Sequence, residues 1–136
     1  MQHFDWPVRV YYEDTDSGGV VFYANYLKFM ERARTEWLRA LGFEQDVLID
    51  EAGVIFAVRS ATIDYLRPAR FNDALTVRSS ITSSGRASVV FEQRVLRAHD
   101  DEELVRGKIK IASLDASTFR PKPMPKELME ALSRDA

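Results

Sequence analysis

The chain has 136 residues, 46% of them apolar and 29% charged, with a net charge of −2 and no cysteine. That is the length of a single domain, 1–136; the charge lacks the basic excess a nucleic-acid partner needs, and the missing thiols exclude disulfides, thiol catalysis and cysteine-based metal sites. No apolar run approaches ~20 residues, so no membrane span is expected, and the opening MQHFDWPVRV lacks the basic start and apolar stretch of a signal peptide, so a cytoplasmic protein is expected.

Trp6–Tyr12 is rich in Val and Tyr and reads as a strand. The Asp, Ser and Gly cluster at 14–19 breaks it. From Tyr23 to Leu41 the period becomes helical: Tyr26, Met30, Ala33, Trp37 and Leu41 recur at three- and four-residue steps, flanked by Leu27, Arg34 and Leu38. Gly42 stands where a left-handed C-cap belongs. Glu44–Ala52 reads as a short second helix ended near Gly53. The long run Val54–Leu66 is strand-like and closed by Arg67-Pro68. Three alternating runs follow, around Leu75–Ile81, Val89–Leu96 and Val105–Ile111, with turns at Ser84-Gly85-Arg86 and Asp100-Asp101. Pro121, Pro123 and Pro125 form a stiff tail, and Lys126–Leu132 reads as a closing helix with Pro125 near its first turn. Short turns make antiparallel neighbours. The expected class is therefore α+β, a five-stranded antiparallel sheet curled around one long helix. Val54–Leu66 carries apolar or small residues on both parities, the pattern of a strand covered on both faces. One helix covers only one face, so a second subunit is the expected other cover.

The junction YYEDTDSGGVVFYANY, Tyr11–Tyr26, carries the chemistry. Asp14, Asp16 and Gly19 fit positions 1, 3 and 6 of a calcium loop, but Gly18 and Asn25 replace the donor and the Glu that the loop needs later. Asp16-Ser17-Gly18 matches the triplet of aspartic proteases, yet a long helix directly after it is out of place there. Asp14-x-Asp16 matches the paired acids of aspartate-nucleophile phosphatases, which require a parallel sheet. An ordinary reading also exists: Asp and Ser before a helix cap it, and Gly permits a bend. The run of apolar residues after Gly18-Gly19 is not explained by capping. A helix starting near Tyr23 offers unpaired N–H groups and a positive dipole end that can polarise a carbonyl and hold an oxyanion. Asp16 lies just before that point and can attack a carbonyl or deprotonate a water. Gly18-Gly19 lets backbone approach closely, and Val20, Val21 and Phe22 keep the site dry. The constellation suits acyl transfer from an activated ester.

The stretch EDTDSGGVVFYANYLKFMERARTEWLRALG, with GVIFAVRSATIDYLRPARFNDAL and RPKPMP behind it, resembles the Tol-Pal-associated acyl-CoA thioesterases of the 4-hydroxybenzoyl-CoA thioesterase-like hot-dog superfamily. The resemblance runs through D-x-D-x-x-G-[VI]-V-[FYW]-[YH]-x-x-Y and the ERAR helix and covers nearly the whole chain. It implies a hot-dog fold and an obligate dimer, usually paired into a tetramer, with active sites at the subunit interface. It implies that Asp16 is the catalytic carboxylate, as nucleophile or general base. It also implies that Tyr23 supplies the backbone N–H that polarises the thioester carbonyl. Many relatives have His at that position; Tyr leaves the backbone role intact and removes the imidazole, and His3 and His99 are both distant in sequence. The resemblance further makes Gly19, Phe22 and Arg86 candidate substrate-binding residues, Arg86 through a basic turn that meets coenzyme A phosphates. Arg67 and Arg70 are weaker candidates of that kind, and Glu31, a second carboxylate, is expected to pair with Lys28 or Thr35 or to bond across the subunit interface. No metal or cofactor is expected. The expected activity is hydrolysis of short-chain or aromatic acyl-CoA. In another class stands a weakly catalytic module binding acyl-CoA or an acyl carrier protein near an envelope complex.

Overall fold

The structure is a computed structural model that describes residues 2–133. Five strands form one antiparallel sheet: β1 His3–Arg9, β2 Val54–Tyr65, β3 Ala74–Ser84, β4 Ser88–Arg97 and β5 Glu103–Asp115, in the order β1-β3-β4-β5-β2. Period-2 alternation puts Val77, Val95 and Val105 in one cross-strand row of the inner face, and Phe91 opposite Ile109 in another. These residues are buried. Against them lies α1, Asn25–Ala40, whose buried stripe is Tyr26, Phe29, Met30, Ala33, Trp37 and Leu38. Phe29, absent from the expected stripe, is fully buried, while Leu27 is exposed. The sheet curls far enough for Phe4 of β1 to stack on Trp37 at 6.0 Å, with Phe91 edge-on to the same indole at 5.9 Å.

Two features of the inner face let the helix come close. Gly107 faces α1, and a Cβ there would lie 2.7 Å from Ile63 Cδ1 and 3.1 Å from Met30 Cε. Gln93, fully buried, donates to the Met30 carbonyl and to Ser79 Oγ, both at 2.9 Å, and accepts from Arg34 Nη1 at 2.9 Å. A polar residue on the buried face is thus satisfied on all sides. Desolvation depresses the Arg34 guanidinium below its usual range, the nearby Glu31 opposing this.

The helix ends as its glycine requires. Gly42 is left-handed (φ 97°), its N–H donates to the Arg39 carbonyl, and the Phe43 N–H reaches back to the Leu38 carbonyl at 2.9 Å, the Schellman arrangement. The expected second helix is a short α2, Gln45–Val47, continued by a wider π turn, Leu48–Ala52, and stopped by left-handed Gly53. The closing helix α3, Lys126–Ser133, starts with the Leu128 and Met129 N–H groups on the Pro125 carbonyl. Among the described residues no helix is long and apolar enough to cross a membrane.

Three boundaries differ from expectation. The first strand starts and ends earlier, His3–Arg9 rather than Trp6–Tyr12. Its Pro7 is tolerated on an edge, and Tyr12–Asp14 leave the sheet as a 3-10 turn. The helix starts at Asn25 rather than Tyr23, because Phe22–Asn25 form a turn first. The long run Val54–Leu66 ends as a strand one residue early, at Tyr65; within one chain β2 is an edge strand paired only with β5, and Val58, Tyr65 and Leu66 are about half exposed at 56%, 46% and 47%.

Candidate active site

The junction read as the chemical centre folds as a hairpin. Thr15 pairs with Val21, the Asp16 N–H donates to the Val20 carbonyl at 2.9 Å, and the Gly19 N–H donates to the Asp16 carbonyl at 3.0 Å. Three residues, 17–19, thus close the loop, and the third needs the left-handed conformation that Gly19 adopts at φ 78°. The Asp16 carboxylate accepts the Gly18 N–H through Oδ1 at 2.8 Å and is exposed to solvent. One of its oxygens therefore shapes the turn. The hairpin is fixed to the body where Val20 bridges Arg70 and where the Val21 N–H donates to the Ala69 carbonyl at 2.8 Å.

Asp14, not Asp16, is the buried acid, 7% exposed. Its carboxylate accepts the Tyr11 N–H at 2.9 Å and Asn25 Nδ2 at 3.0 Å, and its carbonyl accepts the Phe22 N–H at 2.8 Å. Asp14 thereby clamps the hairpin to the first residue of α1. Asp14→Asn places an amide NH₂ against one of these two donors. The expected cost is about 1–3 kcal/mol for a buried unpaired donor, or a fall in Tm of roughly 4–12 °C at about 4 °C per kcal/mol. An unchanged melting curve for the variant would remove the clamp from this account.

The chain then turns into the helix. The Asn25 N–H donates to the Phe22 carbonyl at 2.8 Å, which makes Tyr23 the second residue of a four-residue turn. Among the described residues the Tyr23 N–H has no protein acceptor. It sits at the N-terminal end of the 16-residue α1, where the aligned peptide dipoles favour negative charge. The Tyr23 ring is exposed and lies 4.9 Å from the Phe22 ring, which is also exposed. Beside it is a cavity of about 260 Å³ lined by Val21, Tyr23, Tyr26, Tyr65, Leu66, Arg67 and Pro68. Tyr26 is core, but its hydroxyl accepts the Ala69 N–H at 3.0 Å.

Asp16, Gly19, Phe22 and Tyr23 therefore share one lobe at one end of the sheet, and Arg67 and Arg70 join them there. Arg86 does not. Its turn closes the β3–β4 hairpin, eleven residues along β3 from the Asp73–Val10 contact that borders the lobe. The Arg86 side chain is exposed, and the turn abuts the C-terminal end of β5 through the Ser113 N–H to the Ala87 carbonyl. Glu31 accepts Thr35 Oγ1 at 2.8 Å, as expected, and borders a second cavity of about 280 Å³ with Arg34, Leu38, Phe56 and Phe91. The sequence reading passed over Asp14 as a clamp and left Tyr65 out. A polar Asn at the first helical position was the available sign for Asp14–Asn25; Tyr65 left none.

The thioesterase-like superfamily model matches residues 10–132. An acyl-CoA thioesterase YbgC from Haemophilus influenzae is 44% identical over 128 residues, covering 94% of this chain and 93% of that protein. A probable thioesterase from Bartonella henselae superposes with a TM-score of 0.84 at 35% identity, over 91% of this chain and all of that one (100%). A 4-hydroxybenzoyl-CoA thioesterase, solved with 4-hydroxybenzoyl-CoA bound, shares the fold with a TM-score of 0.90 at 21% identity, over 98% and 100% of the two chains. A sheet curled around one long helix, a family match across nearly the whole length and relatives of full-length similarity converge: the chain belongs to the thioesterase-like superfamily, with a hot-dog fold, and is a thioester hydrolase.

Proposed function

We propose that the protein hydrolyses acyl-CoA thioesters, with short-chain or aromatic acyl groups favoured, at the lobe formed by the Asp16 hairpin and the start of α1. The single observation that carries this reading is the unpaired Tyr23 N–H at a helix N-terminus on the same lobe as a solvent-accessible carboxylate. The thioester carbonyl oxygen accepts the Tyr23 N–H, which withdraws electrons from the carbon and holds the oxyanion as it forms. Asp16 then acts in one of two ways. As nucleophile, it attacks the carbon and expels coenzyme A thiolate, and water hydrolyses the mixed anhydride. As general base, it takes a proton from water, whose oxygen attacks, and the collapsing intermediate expels the thiolate. Gly19 lets the backbone approach the acyl group, and Phe22 shields the reacting centre from water.

The reading includes a homo-oligomer, a dimer at minimum and a dimer of dimers in its full form. Edge strand β2 presents an unpaired backbone row with apolar side chains, a ready template for a second copy. A twofold axis makes β2 pair antiparallel with its own copy. The Tyr65 end of one subunit, which borders the lobe, then meets the Val54 end of the other. This brings the partner's β3–β4 turn, with its Arg86, toward the lobe that Arg86 cannot reach within one chain. The guanidinium is then placed to meet coenzyme A phosphates. A coenzyme A thioester substrate supports a cytoplasmic location within this reading.

One observation favours a binding module for acyl-CoA or an acyl carrier protein instead: Asp16 Oδ1 already serves the Gly18 N–H. Two measurements separate these. Release of free thiol is followed across short, long and aromatic acyl-CoAs, and light scattering is recorded at micromolar concentration. Hydrolysis by a dimer or tetramer is expected. Tight binding without thiol release would support the module, and a stable, fully active monomer would overturn the two-subunit site.

A further inference from the structure

The Tyr23 N–H is useful only if the turn that carries it is held still, and one side chain from outside the hairpin and helix reaches that turn. Tyr65, the last residue of β2, donates its hydroxyl to the Tyr23 carbonyl at 3.1 Å. Its ring stands edge-on to the Tyr23 ring at 6.2 Å and tilted against Tyr26 at 5.8 Å. The far end of this connection is rigid. Tyr65 pairs with Val105, and the next two residues donate their N–H groups to the single carbonyl of Leu104, at 2.8 Å from Leu66 and 3.0 Å from Arg67. Leu104 and Val105 are fully buried. The near end is a turn whose Tyr23–Ala24 peptide is flanked by the Asn25 N–H on the Phe22 carbonyl and the Leu27 N–H on the Ala24 carbonyl.

We propose that Tyr65 is a positioning residue for hydrolysis: its hydroxyl, bound to the Tyr23 carbonyl, fixes the Phe22–Asn25 turn so that the Tyr23 N–H stays aimed at the thioester carbonyl, and ties that aim to edge strand β2. This rests on the role given to the Tyr23 N–H above. The hydroxyl hydrogen bond also draws electrons from the Tyr23–Ala24 peptide, which adds to the positive field at the helix start. Burial, with the Tyr23 phenol adding to it, raises the Tyr65 phenol above its usual range, so it stays a protonated donor at neutral pH. The carbonyl it serves belongs to the same residue as the functional amide, so Tyr65 acts through Tyr23.

Tyr65→Phe keeps the ring and its contacts and removes only the donor. The expected result is a drop in kcat of about tenfold, with KM changed less than about twofold and Tm unchanged. A spectroscopic readout separates positioning from packing. In the hydrolysis-blocked Asp16→Asn background, the carbonyl stretch of a bound ¹³C-labelled acyl-CoA falls in frequency through its hydrogen bond to Tyr23. Adding Tyr65→Phe shrinks that shift and broadens the band. Wild-type kcat in Tyr65→Phe overturns the proposal, and so does a lower kcat with an unaltered carbonyl band or with a matching loss of Tm. If Asp16→Asn itself hydrolyses normally, the underlying reading of the site fails. If Asp16→Asn is inactive while Tyr65→Phe is indistinguishable from wild type, only the role of Tyr65 fails.

Discussion

Asp16→Asn is expected to fold as the wild type and to lose hydrolysis by a factor of at least ~10², the loss typical of a positioned acid–base or nucleophilic group. The fold survives because the amide oxygen of Asn accepts the Gly18 N–H as the carboxylate does. The left-handed Gly19 and the Thr15–Val21 pairing are likewise untouched. Activity is lost because an amide neither attacks a thioester usefully nor takes a proton from water. A folded Asp16→Asn protein with near-native turnover would remove the carboxylate from the mechanism, leaving its role in the turn as its only one.

Tyr23 gives the second large effect, and it separates backbone from side chain. Tyr23→Phe keeps the N–H and the ring and is expected to retain most activity. Tyr23→Pro removes the N–H and is expected to cost about 10²–10³ in kcat, the range for losing one oxyanion donor. The substitution suits its place, since Tyr23 is the second residue of the Phe22–Asn25 turn and proline is favoured at that position. Among the described residues its N–H has no protein partner to lose. The Pro variant therefore separates catalysis from folding, provided its circular dichroism overlays the wild type. A large loss in Tyr23→Phe would assign the phenol a direct part; an active Tyr23→Pro would move the oxyanion site elsewhere.

Periodicity made most of the fold legible, because α1 and the strands β3, β4 and β5 each bury one clean face. Gly42 and Gly53 marked true helix ends, both left-handed. Elsewhere the pattern misled for physical reasons. Tyr11 and Tyr12 look like strand residues, but the Asp14 carboxylate takes the Tyr11 N–H and turns the chain out of the sheet. Phe29 falls between Tyr26 and Met30 of the expected stripe, three residues after Tyr26, and is fully buried, because the buried stripe is wider than one residue per turn. At the site, Asp16 and Tyr23 were legible from the motif and from the unpaired donors at a helix start. The roles of Asp14 and Tyr65 were not, since each depends on a partner 11 or 42 residues away. Arg86 illustrates the same limit: a basic turn is visible in sequence, but its separation from Asp16 within one chain depends on strand order.

The infrared spectrum of a ¹³C-carbonyl acyl-CoA bound to Asp16→Asn tests most directly whether the helix start polarises the scissile carbonyl. The bound carbonyl stretch is expected to fall below its value in solution, and introducing Tyr23→Pro into the same background is expected to return it toward the free value while the ligand stays bound. A bound carbonyl at the solution frequency, or a shift that persists in the Tyr23→Pro protein, would contradict the assignment of the Tyr23 N–H as the oxyanion donor.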